Sequence, residues 1–201
     1  MTTRTCIAVI LAAGEGTRMK SASPKVLHAI AGRSMLGHVL DTVSQAGISD
    51  IAVVIGPNRE DVAQEIRAQV PQAHIIVQMD RLGTAHAVLA ARDVIGTGYD
   101  DLLVLFADTP LIEPATLQAM RARLVEGRAV VALGFDTANP HGYGRLLIDG
   151  ASLDAIREHK DATDDERKVT LCNSGLMALD GKKHWDCWTV SETAMPRKNF
   201  I

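Results

Sequence analysis

The sequence predicts an α/β fold, a Rossmann-like, mainly parallel sheet with helices on both faces. Three observations lead there. Short apolar runs alternate with stretches of helical length as far as about residue 134, which is the pattern of successive βαβ units. The first run, Ile7–Leu11, is apolar at every position, as a strand buried on both faces requires. It leads into Ala12-Ala13-Gly14-Glu15-Gly16-Thr17-Arg18-Met19, a glycine-bearing loop at the carboxyl end of a strand, where open α/β sheets bind their ligands.

After Ile7–Leu11, strands are expected at Ile51–Ile55, His74–Val77, Leu102–Phe106 and Ala129–Gly134. Helices are expected near Met35–Ala46, Asp61–Gln69, Thr84–Val94 and Pro114–Val125. Gly47 follows the last apolar position of the first of these, and Pro114 stands near the start of the last, after Glu113; both are in keeping with the preference for proline at the head of a helix and glycine past its end. Beyond Gly134 the pattern changes. Gly144–Ile148, Leu153–Arg157 and Val169–Leu179 read as short strands separated by turns such as Asp149-Gly150 and by the charged stretch Lys160–Lys168. They form a smaller, substrate-facing lobe added to the first half. A chain of 201 residues with 47% hydrophobic content has room for one domain with a real core.

Composition narrows the partners. A net charge of −3 gives no broad positive field, and two Trp, two Tyr and three Phe leave few platforms for stacking bases, so nucleic acid is not expected. Met1-Thr2-Thr3-Arg4 carries no apolar signal segment, and no apolar run reaches membrane-spanning length. The expected location is cytoplasmic, with no membrane partner. Cys6, Cys172 and Cys187 include no Cys-x-x-Cys pair, so neither a disulfide framework nor a zinc site is signalled.

The loop after the first strand carries the chemistry. Gly14 and Gly16 let backbone N–H groups close on phosphate oxygens, while Arg18 and the lysine of Ser23-Pro24-Lys25 add charge. A triphosphate suits such a cradle. The loop is not a P-loop, because no Gly-Lys-Ser/Thr follows four residues after a glycine, and Met19 stands where a dinucleotide fingerprint needs its third glycine. A tight turn whose glycines serve only packing is the competing reading. Asp108 follows the Leu102–Phe106 run and so lies on the same sheet edge. It suits Mg²⁺, which takes one or two carboxylates and completes its shell with water and phosphate; a strand-end Asp capping the next turn is the alternative. Gln78 closes His74–Val77, and its amide can pair with a donor and an acceptor on a pyrimidine edge. Gly83 allows close approach of the backbone. His86, in the first turn of the next helix, reads as structural rather than catalytic.

Leu11-x-x-Gly14-x-Gly16-Thr17-Arg18-Met19 followed by Pro24-Lys25 resembles the signature of the sugar-nucleotide pyrophosphorylases. Gln78 with Leu82–Ala87, Phe106–Leu111, Gly142–Arg145, Glu158–Ala162 and Asn173–Gly175 narrow the likeness to the bacterial N-acetylglucosamine-1-phosphate uridyltransferases that also carry a glucosamine-1-phosphate N-acetyltransferase domain. The likeness runs over about residues 5 to 183. It implies the nucleotide-diphospho-sugar transferase fold. It also implies transfer of UMP from UTP to N-acetylglucosamine 1-phosphate, giving UDP-N-acetylglucosamine for peptidoglycan and lipopolysaccharide synthesis, and pyrophosphate.

By that resemblance the sugar phosphate attacks the α-phosphorus directly, Arg18 and Lys25 stabilise the charge, and Asp108 holds Mg²⁺. Leu11, Ala12, Ala13, Gly14, Lys25, Gln78, Gly83, Thr84, Phe106, Ala107 and Asp108 would meet the nucleotide, and Gly144, Glu158 and Asn173 the N-acetylglucosamine. Read alone, Glu158 is equally part of the charge run Arg157–Lys160. Arg81 stands where some relatives have Gln. Another sugar-phosphate or cofactor nucleotidyltransferase, and a non-catalytic nucleotide-sugar-binding fragment, are the competing functions.

The likeness stops at Lys183. The family continues through an Asn that is its second metal ligand and then into a β-helix acetyltransferase domain, through which its trimers largely assemble. Neither that domain nor the family homotrimer is expected of this chain, and without the second metal ligand little pyrophosphorylase turnover is expected of it. From His184 onward, codons read from the last base of the preceding one give Leu-Gly-Leu-Leu-Asp whatever synonymous codons are used, and later positions permit Asn-x-Asn-Ala-Lys-Glu-Glu-Phe-Tyr. The expectation is a domain over 1–183 and an out-of-frame tail over 184–201.

Overall fold

The computed structural model describes residues 4–14, 16, 19, 21, 23–80, 82–150 and 152–182. The tail expected at 184–201 lies outside them, as do Arg18 and Arg81. The chain divides into two compact units, one of residues up to Val131 together with those from Ala178, the other of Ala132–Met177.

The larger unit is organised by β1 (Cys6–Leu11), which pairs in parallel with both β4 (Asp50–Ile55) and β6 (Asp101–Phe106). β5 (His74–Val77) pairs in parallel with the far side of β4, giving the order β5-β4-β1-β6. Successive strand residues point to opposite faces. Ile7 through Ile10 are all fully buried, so both faces of the sheet at β1 are covered, the arrangement its unbroken apolar run predicts. Three helices contribute apolar residues at spacings of three and four: α1 (Met35–Gln45) through Leu36, Val39, Leu40 and Val43; α2 (Glu60–Gln69) through Val62, Ala63 and Ile66; α5 (Pro114–Val125) through Leu117, Met120 and Leu124. Ser34 caps α1 by accepting the Gly37 N–H at 2.9 Å.

Two local features depart from the sequence reading. The helix expected over Thr84–Val94 is two short ones, α3 (Thr84–Leu89) and α4 (Arg92–Ile95). Ala91 sits between them at φ −90°, ψ 10°, and its N–H bonds to Val88 rather than continuing the α pattern. No glycine or proline marks this break, so local composition could not announce it. A small hairpin of β2 (Ala29–Ile30) and β3 (Arg33–Ser34) was also not anticipated. Its turn residues Ala31 and Gly32 both have positive φ, as a tight two-residue turn requires, without the usual Asn-Gly pair.

At the amino-terminal end of β6, Asp101 is wholly buried and accepts from Arg4 at 2.6 and 2.8 Å and from Arg121 at 3.0 Å. Arg121 also donates to the Arg4 carbonyl. This cluster ties the chain start and α5 to the sheet. Next to it, a hydrogen bond from Lys182, then one from the Thr5 backbone N–H, lower the pKa of Asp100 from 3.8 to about 2. Because the folded value lies below the ordinary one, the charged carboxylate favours the fold above about pH 4, and that contribution fades as pH falls through about 2. An Asp100→Asn variant should therefore melt below wild type at pH 5–7, with the gap closing as pH falls from about 4 through about 2. A constant gap over the whole range, followed by thermal unfolding, would show that the lost side chain acts by some route other than its charge.

The smaller unit holds an antiparallel pair of β8 (Arg145–Asp149) and β9 (Ser152–Arg157). Within it, the early residues of β10 (Leu171–Asp180) pair with β8 through Cys172 and Arg145, and later residues of β7 (Val130–Asp136) lie along β10. The change of pattern read after Gly134 corresponds to this unit. Cys6 and Cys172 are both buried thiols, and burial pushes that of Cys6 up to about 12, leaving it a packing group.

Candidate functional site

Strand order places a topological switch between β1 and β6, since the chain moves from β1 to β4 and β5 on one side before returning to β6 on the other. A cavity of about 620 Å³ opens at that point, of the size that small-molecule sites have. Leu11 and Phe106, the last residues of the two strands, line it together with Ala13, Gly14, Lys25, Gln78, Gly83, Thr84 and Asp108. Nine of the positions singled out for the nucleotide thus meet in one place. Ala12 and Ala107 lie behind the wall: both are buried, with N–H groups bonded to the carbonyls of Val54 and Leu11. Arg18 lies outside the described residues.

The two glycines of the loop have different physical reasons. At Gly16 φ is +59°, and a Cβ would lie 2.6 Å from the Cβ of Lys25; the chain itself demands glycine there, and a side chain would displace the lysine. At Gly14 φ is not positive, and beyond its chain neighbours no atom of the described residues lies within 4 Å of where a Cβ would be. Among the described residues, nothing in the packing requires glycine at 14. Pro24 introduces a single 3-10 turn, Lys25–Leu27, which presents Lys25 to the cavity. Its ammonium lies 2.6 Å from Oδ2 of Asp108, each side chain about one third exposed.

Gln78 is almost fully buried although it lines the cavity. Its backbone N–H bonds to the Ile55 carbonyl at 2.8 Å, and its side-chain Nε2 lies 2.9 Å from Nδ1 of His86. Gly83 precedes α3 at φ 110°, ψ 179°, a conformation that only glycine adopts readily. The sequence reading passed over Met19, Val26 and Ala87, which also line the cavity. Val26 was detectable as the apolar neighbour of Lys25, but nothing local distinguishes Ala87 from any other helix alanine.

In the smaller unit, Gly144, Glu158 and Asn173 come together. A Cβ at Gly144 would sit 3.2 Å from Oε1 of Glu158, and the Asn173 N–H bonds to the Gly144 carbonyl at 2.8 Å. Asn173 also accepts the Gly175 N–H through Oδ1, which leaves its NH₂ as a donor. The organising residue here is Arg145, buried to 1% exposure, which donates to the carbonyls of Tyr143 and Arg167 and so pins the segments flanking Gly144. Desolvation lowers the basicity of His159, and neighbouring His141, Arg145 and Arg167 lower it further.

Residues 8–173 match the model of the MobA-like NTP transferase domain. The chain belongs to that family. As a nucleotidyltransferase domain it is similar to the bifunctional protein GlmU of Azorhizobium caulinodans, with 60% identity over 183 residues, 91% of this chain and 41% of that protein. With GlmU of Sinorhizobium medicae it shares 56% identity over 91% of this chain and 40% of the relative. The domain thus spans about two fifths of the length of the curated relatives it matches. Its fold is that of a solved UDP-glucose pyrophosphorylase complexed with UDP-glucose, at a TM-score of 0.74 and 19% identity over 98% of this chain and 83% of that one. Among the described residues no helix is long and apolar enough to cross a membrane.

Proposed function

We propose that this domain transfers UMP from UTP to N-acetylglucosamine 1-phosphate, releasing pyrophosphate and forming UDP-N-acetylglucosamine. The observation that carries the reading is the convergence, at the β1–β6 switch point, of an open glycine, a lysine and a carboxylate with a buried carboxamide. The high identity to GlmU proteins supports the choice of substrates.

The chemistry asked of the protein is placement and charge stabilisation. An oxygen of the sugar phosphate forms a bond to the α-phosphorus as the bond from that phosphorus to the oxygen bridging it to the β-phosphorus breaks and pyrophosphate departs with that oxygen, so no protein nucleophile is needed. The backbone at Gly14 meets the phosphates, and Lys25 neutralises charge gathering on the departing pyrophosphate. Gln78, Gly83 and Thr84 hold the base, and Gly144, Glu158 and Asn173 present hydrogen-bonding groups for a sugar rich in hydroxyls.

Asp108 suits Mg²⁺. It is a hard oxygen donor facing the cavity, and among the described residues no group of three His, Cys, Asp or Glu could form an all-protein cage. One carboxylate with phosphate and water is the donor set this ion accepts. When bound, Mg²⁺ would supply neutralising charge to the phosphates.

Incubation with UTP, N-acetylglucosamine 1-phosphate and Mg²⁺ should release pyrophosphate and yield a UDP-sugar detectable by mass spectrometry, with Lys25→Ala slowing the reaction about a hundredfold or more. Nucleotidyl transfer to a different acceptor, with none to this one, would overturn the assignment of the sugar.

A further inference from the structure

We propose that His86 is a positioning residue for base selection: by accepting at Nδ1 it fixes the Gln78 amide so that the carboxamide oxygen, and not the NH₂ group, meets the pyrimidine. The proposal rests on the reading of the cavity as a uridine site.

A carboxamide offers a donor and an acceptor of nearly the same shape, and turning it over exchanges them. Gln78 can read a base only if something decides between the two orientations. Its backbone is held by the Ile55 carbonyl, and its side chain is buried to 4% exposure, so it has few other partners to choose from. The 2.9 Å contact between its Nε2 and His86 Nδ1 supplies that decision. An imidazole with its proton on Nε2 can only accept at Nδ1, so it holds the amide NH₂ toward α3 and leaves Oε1 for the ligand. Gly83 sets the start of α3, and His86 follows three residues later, within its first turn.

The consequence concerns which pyrimidine fits. Uracil presents an N3–H donor between two carbonyls, which pairs with a carboxamide oxygen. Cytosine presents a lone pair at N3, which would face the oxygen lone pairs and leave both groups unpaired. A site that buries an unpaired acceptor rejects the wrong ligand by the cost of that lost hydrogen bond. His86 touches neither base nor phosphate in this scheme; it acts through Gln78.

The test is calorimetric binding of UTP and CTP, each with Mg²⁺, to the full chain and its variants. Wild type should favour UTP. His86→Ala should reduce that preference about tenfold, and Gln78→Ala should reduce it as much. His86→Asp places an acceptor-only oxygen at the side-chain position of Nδ1. It should retain the preference even though its charge weakens both nucleotides, whereas His86→Asn, which can donate or accept, should not. The Asp and Asn pair carries the comparison if His86→Ala does not fold.

Equal weakening of UTP and CTP in His86→Ala, with the ratio unchanged, would show a merely structural histidine and overturn the proposal. So would equal ratios in the Asp and Asn variants. Loss of the preference in Gln78→Ala with its full retention in His86→Ala would overturn the role of His86 and leave the uridine reading intact. Absence of any UTP preference in wild type would overturn the uridine reading and this proposal together.

Discussion

Replacing Asp108 by alanine should abolish any strengthening of UTP binding by Mg²⁺. In wild type the carboxylate lines the cavity beyond β6, and among the described residues no group of three His, Cys, Asp or Glu could hold a cation without the nucleotide. Asp108 would hold the ion together with the nucleotide, so the affinities for the two would rise together. Removing the carboxylate leaves only the nucleotide to bind the ion, and the protein no longer gains from it. The same change frees Lys25 from its 2.6 Å partner, so UTP without metal should bind the variant at least as well as wild type. Titrations of UTP with and without Mg²⁺ separate the two effects. An equal gain from Mg²⁺ in both proteins would remove Asp108 from the metal site.

The second large effect lies at the opposite end of the same strand. Asp101→Asn should cost about 3 kcal/mol or more, because it leaves the guanidinium groups of Arg4 and Arg121 beside a neutral side chain with no exposure to water. For a chain of this size that corresponds to a fall in Tm of roughly 10 °C. Asp165→Asn breaks an ion pair of similar length, with Lys168 at 2.7 Å, but there the side chains are 92% and 75% exposed. It should change Tm hardly at all, since water solvates both charges and pairing adds little. Differential scanning calorimetry of the two variants tests burial as the deciding variable. Similar melting of both would show that the Asp101 cluster contributes no more than a surface pair.

How much was legible in the sequence varied with the range of the interaction. Four parallel strands were found within a residue or two of their bounds, and α5 at its bounds, because a strand buried on both faces and a proline at a helix start leave local marks. The split between α3 and α4 left no such mark; it turns on one residue's ψ angle. Gly14, Lys25, Gln78, Gly83 and Asp108 were foreseeable because strand ends in open α/β sheets gather at one edge, whereas Leu11, Ala13, Thr84 and Phe106 were named only through the family resemblance. Arg145 was not singled out, although its motif was noted, because a buried arginine bound to carbonyls looks in sequence like any surface cation.

By itself, then, the sequence determined the alternation of strands and helices, the apolar core of β1 and the kinds of side chain delivered to the sheet edge, all of which depend on residues close together in the chain. Only the tertiary structure decided that Lys25 meets Asp108 across 83 positions, that Gly16 is glycine for the lysine's sake while Gly14 has open space among the described residues, and that His86 faces the Gln78 amide. These contacts join residues from different elements. Periodicity reports which face of an element is buried, whereas which atoms then touch is fixed by strand order and register, and those are set by the packing of the whole sheet.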